Sequence, residues 1–179
     1  MRWKTFYSSG DTDRTPYLTR IFLLSKIFGY QLVLHIFHRG DVDSEMHDHP
    51  WDFWTFPLTS YLEEVPDPKL PARRLDVVKR FRLYYRRAEY KHRVISVAGD
   101  YPLLERGIPE DSKIYTICLL KPKRREWGFW RQSVIQSGDG ARAFPSIFWV
   151  PWQQFYEEKQ AQRRIADDID RLPDWEVRR

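Results

Sequence analysis

The chain has 179 residues, enough for one domain with a real core and short for two. Apolar residues make up 42% and charged residues 31%, which excludes a disordered chain, and Cys118 as the only cysteine excludes an intrachain disulfide or a cysteine-built zinc site. The formal net charge is +5, no apolar run approaches membrane-spanning length, and Met1-Arg2-Trp3-Lys4 lacks the apolar core of a signal peptide, so the expectation is a cytoplasmic protein with no membrane partner.

Residues 1–16 are polar and read as an N-terminal arm. Residues 17–24 and 30–38 are rich in aromatic and branched side chains and read as two strands. The short link at Phe28-Gly29 makes them an antiparallel hairpin. A polar loop, Arg39 to Glu45, follows. Residues 52–62 read as a third strand, with a bulge or edge expected at Pro57, which has no N–H to donate. Residues 74–85, 92–98, 113–120, 126–134 and 146–150 read as further strands. Loops are expected at 99–112 and at the turn 137–140. Gly128, set between Trp127 and Phe129-Trp130, marks a bulge or a close backbone approach.

Only the end of the chain reads as helical, from Pro151 to about Ile169. Its partial apolar face of Trp152, Phe155, Tyr156 and Ile165 would cover the outside of the sheet or a partner subunit in a homodimer. Many strands, frequent turns and one terminal helix predict an all-β sandwich or barrel over 17–150, with helix and tail over 151–179.

The chemistry concentrates in Met46-His47-Asp48-His49-Pro50-Trp51-Asp52-Phe53. Side chains alternate along an extended chain, so His47 and His49 share one face. Pro50 stiffens the exit. His92 begins a later strand that can fold back to the same face. Three imidazoles converging in a barrel bind a divalent metal and leave positions open. Asp52 is the candidate fourth ligand or orienting acceptor, although its parity is opposite to that of His49 and only a bulge after Pro50 would turn it inward. Glu63 has the parity of His49 but lies fourteen residues downstream. Asp48 would point outward, towards Arg39 or Arg93. His35 and His38 face opposite sides of one strand and read as hydrogen-bonded structural residues.

These residues resemble the two motifs of the cupin superfamily over about 17–120. His47-Asp48-His49-Pro50-Trp51-Asp52 stands in the place of the first motif, with Gly40 one residue further upstream than its pattern. Arg87-Ala88-Glu89-Tyr90-Lys91-His92 stands in the place of the second, with Arg87 in place of its proline and Ser96 at its asparagine. The likeness is strongest to bacterial and phage cupins with a His-x-His-Pro-Trp segment. It implies a single cupin domain over 1–179, a double-stranded β-helix or jelly-roll barrel with a C-terminal helix. The positions where the family carries its acidic ligand hold Phe53 and Trp54. A site without that acid is similar to thiol dioxygenases, cupins that hold iron with three histidines.

Two functions of different class follow. One is a metal-dependent oxygenase acting on a small molecule, with Fe(II) as the natural metal and Zn, Mn or Ni as alternatives. Its candidate metal ligands are His47, His49, His92 and Asp52. Candidate substrate contacts are Arg82 or Arg87 as an anion clamp, Trp54 as aromatic lining and Glu126 at the cavity mouth. The other is a small-molecule-binding or structural barrel whose metal is structural. The basic runs Lys79-Arg80-Phe81-Arg82 and Lys121-Pro122-Lys123-Arg124-Arg125 read as solvated faces in preference to a nucleic-acid surface.

Overall fold

The structure is a computed structural model that describes residues 1–7, 16–41, 43–69, 72–97, 113–136 and 143–170. The loops expected at 99–112 and 137–140 lie outside the described residues. Among the described residues twelve strands and one helix follow in order: β1 (Arg2–Tyr7), β2 (Pro16–Ile27), β3 (Tyr30–Phe37), β4 (Met46–His47), β5 (Phe53–Pro57), β6 (Tyr61–Pro66), β7 (Arg73–Val78), β8 (Tyr84–Arg86), β9 (Arg93–Val97), β10 (Ile114–Leu120), β11 (Gly128–Gln136), β12 (Ala143–Pro151) and α1 (Trp152–Asp170).

All strand pairs among the described residues are antiparallel. A six-stranded sheet runs β1-β2-β3-β10-β5-β8, and two three-stranded sheets run β12-β11-β4 and β7-β6-β9. An isolated bridge between His47 and His92 joins the two smaller sheets edge to edge into one layer. That layer packs on the six-stranded sheet. Tyr61, Val78 and Val94 from one side meet Ile114, with Phe37 and Tyr84, from the other. This is the two-layer antiparallel arrangement of a jelly-roll barrel with one C-terminal helix, as the sequence predicts.

The inner face of the large sheet follows from period-two alternation. Val33, Phe53, Cys118 and Leu120 form its apolar floor, with Phe22 and Trp51 against it. The third core lies on the face of β11 that also meets His47, through the rung Phe129↔His47. Phe129, Val150 and Phe155 are buried together, and the Phe129 and Phe155 rings stack at 3.8 Å. The first turns of α1 therefore cover the chain's own β11 and β12. Burying a ring such as Phe155 stabilises this seam by about 1.5–3 kcal/mol.

Three expectations change. Residues 2–7, expected in an arm, pair with β2 through Trp3↔Ile21 and Thr5↔Thr19. The strand expected over 52–62 is two strands in different sheets. Pro57 ends β5, its carbonyl accepts the N–H of Phe81 at 2.8 Å, and the chain turns before β6. The strand expected over 74–85 is also two, broken at Phe81, which takes a positive φ of 59°. Among the described residues no helix is long and apolar enough to cross a membrane.

Candidate metal centre

Backbone pairing assembles the site. The His47 N–H donates to the His92 carbonyl at 2.9 Å, and the His92 N–H donates to the His47 carbonyl at 3.1 Å. The His49 N–H then donates to the Ala88 carbonyl at 2.8 Å, which holds the segment between β4 and β5 against the approach to β9. The imidazoles of His47, His49 and His92 converge, with one ligand atom from each and all three within 4.8 Å of one another. The Nε2 atoms of His49 and His92 are 2.9 Å apart. Two nitrogens held about 2.1 Å from a common ion stand roughly 3 Å apart, so the spacing fits a small divalent metal.

Two carboxylates stand behind the imidazoles. The Nδ1–H of His92 donates to Glu63 Oε2 at 2.9 Å, which fixes the tautomer and leaves the Nε2 lone pair facing the cluster. Glu63 is fully buried and also accepts from Arg86 at 2.6 Å and from the Tyr90 hydroxyl. Burial pushes the Glu63 carboxyl up, but the hydrogen bond and charge of His92, with Arg86 and Tyr90, outweigh it and hold the group below its usual range. Asp41 faces the Nδ1 of His47 at 3.6 Å. It is itself held by the Tyr17 hydroxyl and by the Val94 N–H at 2.7 Å. Gly40 makes that placement possible, because a Cβ there would meet the Ile95 carbonyl oxygen at 1.9 Å.

His47 and His49 are set up as neutral ligands. Burial pushes His49 well below its ordinary value, with the neighbouring imidazoles adding to the effect. Burial also lowers His47 and outweighs the opposing pull of Asp41. A neutral imidazole offers its lone pair without first losing a proton. The Phe53 ring packs edge-on against His49 at 4.7 Å, and Trp127 and Phe129 flank His47 at 6.4 and 6.3 Å.

Asp52, the expected fourth ligand, is not part of the group. No bulge turns it in. Its carboxylate accepts from the Ala88 N–H at 2.8 Å, the Tyr85 hydroxyl at 3.0 Å and Arg124 at 3.0 Å, on the other side of the strand. Among the described residues the cluster is three histidines without an acid.

Asp48 is a correction of another kind. It alternates away from the histidines as expected, yet it is fully buried, because β11 and β12 cover that side. It accepts from the Gly128 N–H at 2.8 Å, Trp149 Nε1 at 3.0 Å, Trp130 Nε1 at 3.1 Å and Arg125 at 2.8 Å, not from Arg39 or Arg93. Gly128 approaches as closely as its sequence context suggests: a Cβ there would meet the Val150 carbonyl oxygen at 2.1 Å.

A scan against protein-family models finds no matching family, and a search of curated proteins finds no match. Solved structures do match. A cupin-domain protein from Bordetella pertussis is 16% identical, with 59% of this chain and 94% of that one covered and a TM-score of 0.40. A cupin-2 domain protein from Rhodospirillum rubrum is 13% identical, with 70% and 73% covered and a TM-score of 0.46. The Fe(II) form of HppE is 10% identical, with 66% of this chain and 56% of that one covered and a TM-score of 0.45, so the chain spans about half of that protein. The chain is similar to cupins.

The other expected site residues lie away from the imidazole cluster. Arg82 is exposed in the turn before β8 and Arg87 is exposed just after it. The inward arginine of this stretch is Arg86, which grips Glu63 and lies over the Tyr90 ring at 4.0 Å. Trp54 points outward and packs on Tyr85 at 5.0 Å, while Phe53 takes the inner position. Glu126 is exposed and pairs with Lys123. It sits on an open cleft of 290 Å³ shared with Pro50, Trp51 and Trp127. His35 and His38 are hydrogen-bonded as expected, to Arg20 at 2.9 Å and to Thr19 at 2.9 Å.

Proposed function

We propose that this chain is a metal-binding cupin in which His47, His49 and His92 hold Fe(II), and that it is an oxygenase acting on a small molecule. The observation that carries this reading is the convergence of three imidazoles within 4.8 Å, with no acid closing the set among the described residues. A structural zinc site is closed by four protein ligands, whereas three leave room for a substrate and a co-reactant. Fe(II) bound there would supply the redox chemistry with dioxygen that protein side chains lack.

The chain's own residues do the rest. Glu63 and Asp41 orient two of the three rings from behind. Phe53, Trp127 and Phe129 wall the histidines with apolar surface, which limits water at the site. The localisation we propose is cytoplasmic, where Cys118, the single cysteine, stays reduced.

The test begins with metal content. Protein purified without added metal is assayed for iron, zinc, manganese and nickel, beside His47→Ala and His92→Ala. About one metal per chain in the wild type and little in either variant supports the site, while equal trace metal in all three removes it. Oxygen uptake by the iron-loaded protein, with candidate small molecules, then separates an oxygenase from a non-catalytic binding barrel.

A further inference from the structure

The barrel interior also holds a cation, Arg20, that no carboxylate among the described residues neutralises. Arg20 lies on β2, on the face that carries Leu18 and Phe22. Its rung partner is His35 on β3, and His35 pairs in turn with Thr116 on β10. His35 and Thr116 are buried, so alternation turns the guanidinium inward. Its Nε–H donates to His35 Nε2 at 2.9 Å. Its carbon centre lies 5.5 Å from the Phe6 ring and 5.7 Å from the Trp51 ring.

Among the described residues nothing in reach balances that charge. Among the described residues, no carboxylate pairs with Arg20 and no acceptor meets its two terminal nitrogens. His35 cannot act as the counter-ion. Its Nε2 accepts from Arg20, so its one proton sits on Nδ1, which faces the Cys118 sulfur at 3.7 Å. Burial raises the Cys118 thiol above its usual value, which keeps it neutral. The Thr55 and Thr116 hydroxyls are already bonded to each other at 2.7 Å.

The arginines that meet the buried carboxylates differ. Arg86 meets Glu63 at 2.6 Å and Arg125 meets Asp48 at 2.8 Å. A desolvated cation without a counter-ion is expensive to keep, and a site that keeps one is pre-organised for an anion from outside. Arg20 also shares its walls with the metal centre. Trp51 lies two residues after His49 and covers the apolar floor that contains Phe53, whose ring touches His49.

We propose that Arg20 holds the anionic end of the substrate, so that the substrate is a small organic oxyanion whose carboxylate or phosphate meets the two terminal nitrogens of Arg20 while its reactive end lies towards His47, His49 and His92. The second half of this statement rests on the three-histidine metal reading; the anion site at Arg20 does not. Two terminal N–H groups in one plane match two oxygens of a carboxylate or phosphate, and the planar fork makes arginine rather than lysine the residue suited to the task.

Calorimetric titration tests it. Succinate and inorganic phosphate are the probes, each titrated into metal-free and metal-loaded full-length protein, with Arg20→Met and Arg20→Lys alongside and metal content measured for all. The wild type is expected to bind at least one probe, more weakly as salt rises. Arg20→Met is expected to weaken binding about ten- to a hundredfold, the worth of charge-assisted hydrogen bonds, with Arg20→Lys between the two and metal content unchanged. The preferred probe separates a carboxylate from a phosphate substrate. Failure of the wild type to bind either probe at millimolar concentration overturns the proposal, and so does undiminished binding by Arg20→Met. If Arg20→Met fails to fold, Arg20→Lys decides: binding as tight as the wild type's then overturns it. Arg20-dependent binding in a protein that takes up no metal would leave the anion site standing and remove the metal reading. Metal uptake without anion binding would do the reverse.

Discussion

His47 and His92 are cross-strand partners that exchange both backbone hydrogen bonds, at 2.9 and 3.1 Å, and their side chains meet in the same three-imidazole cluster. The rung that joins the two smaller sheets is therefore also the rung that would hold the metal. A backbone bridge survives truncation of either side chain, so His47→Ala and His92→Ala are expected to fold and to lose the metal. Ligand linkage then gives a thermal readout. Metal at about a hundred times its dissociation constant stabilises the native state by ~2.7 kcal/mol, roughly 5–10 °C in Tm for a chain of this size. Chelation should lower the wild-type Tm by about that amount and leave both variants unmoved, as calorimetric scans with and without chelator would show.

Glu63 supports both the metal centre and the fold, and the two roles can be separated. Glu63→Gln removes the anionic acceptor behind His92 and leaves Arg86 without its buried counter-charge. Loss of such an orienting carboxylate weakens metal binding about 10- to 100-fold, and an uncompensated buried charge costs about 3–5 kcal/mol. The double variant Glu63→Gln with Arg86→Met removes the stranded cation. Chemical denaturation should find much of the stability restored, while competition with a metal indicator should find the affinity still low. Recovery of both together would mean that Glu63 acts on the metal only through the fold.

The histidine triad was legible because alternation and Pro50 set the face of His47 and His49, and His92 opened the next available strand. Its support was not. Glu63 follows the single strand expected over 52–62, which would carry it far from His49. The chain breaks after Pro57, and β6 pairs with β9 through Glu63↔Val94, which returns the carboxylate to His92. Arg86 was missed for a related reason. The residues did not say which arginine turns inward, because the strand breaks at Phe81, whose left-handed backbone resets the alternation, and Arg86, between the two expected ones, meets Glu63. Asp48 had the right parity, but no local pattern could tell that β11 and β12 would cover its side. Arg20 was unremarkable in a chain with 30 basic residues until the fold showed it turned inward with no acid beside it among the described residues.

Asp48→Asn tests how far the metal segment depends on its outer support. The carboxylate accepts from two indoles, one backbone N–H and Arg125, whereas an asparagine has one acceptor oxygen and must turn an NH₂ towards a donor. The substitution strands buried donors and is expected to cost about 2–4 kcal/mol, a large part of the stability of an ordinary domain. Equilibrium denaturation followed by tryptophan fluorescence would measure it, with Trp130 and Trp149 as reporters at the altered site. A change below about 0.5 kcal/mol, the range of ordinary surface substitutions, would contradict the role.

Asp52 gives the opposite expectation for metal and a definite one for pH. Its carboxylate is lowered from its usual value: slight burial opposes this, but the Ala88 N–H, the Tyr85 hydroxyl and Arg124 prevail. A folded-state value below the unfolded one means that the unfolded chain takes up the proton first as pH falls. The stabilisation is fully present above the unfolded value of about 3.9 and is lost as pH drops through the lower folded value. Melting temperatures across the acid range should therefore fall more gently for Asp52→Asn than for the wild type below about pH 4, with the Asn variant already less stable at neutral pH. Because the carboxylate bonds away from the imidazoles, Asp52→Asn should keep a wild-type metal content. Loss of metal in this variant, with its fold intact by circular dichroism, would return Asp52 to the ligand set.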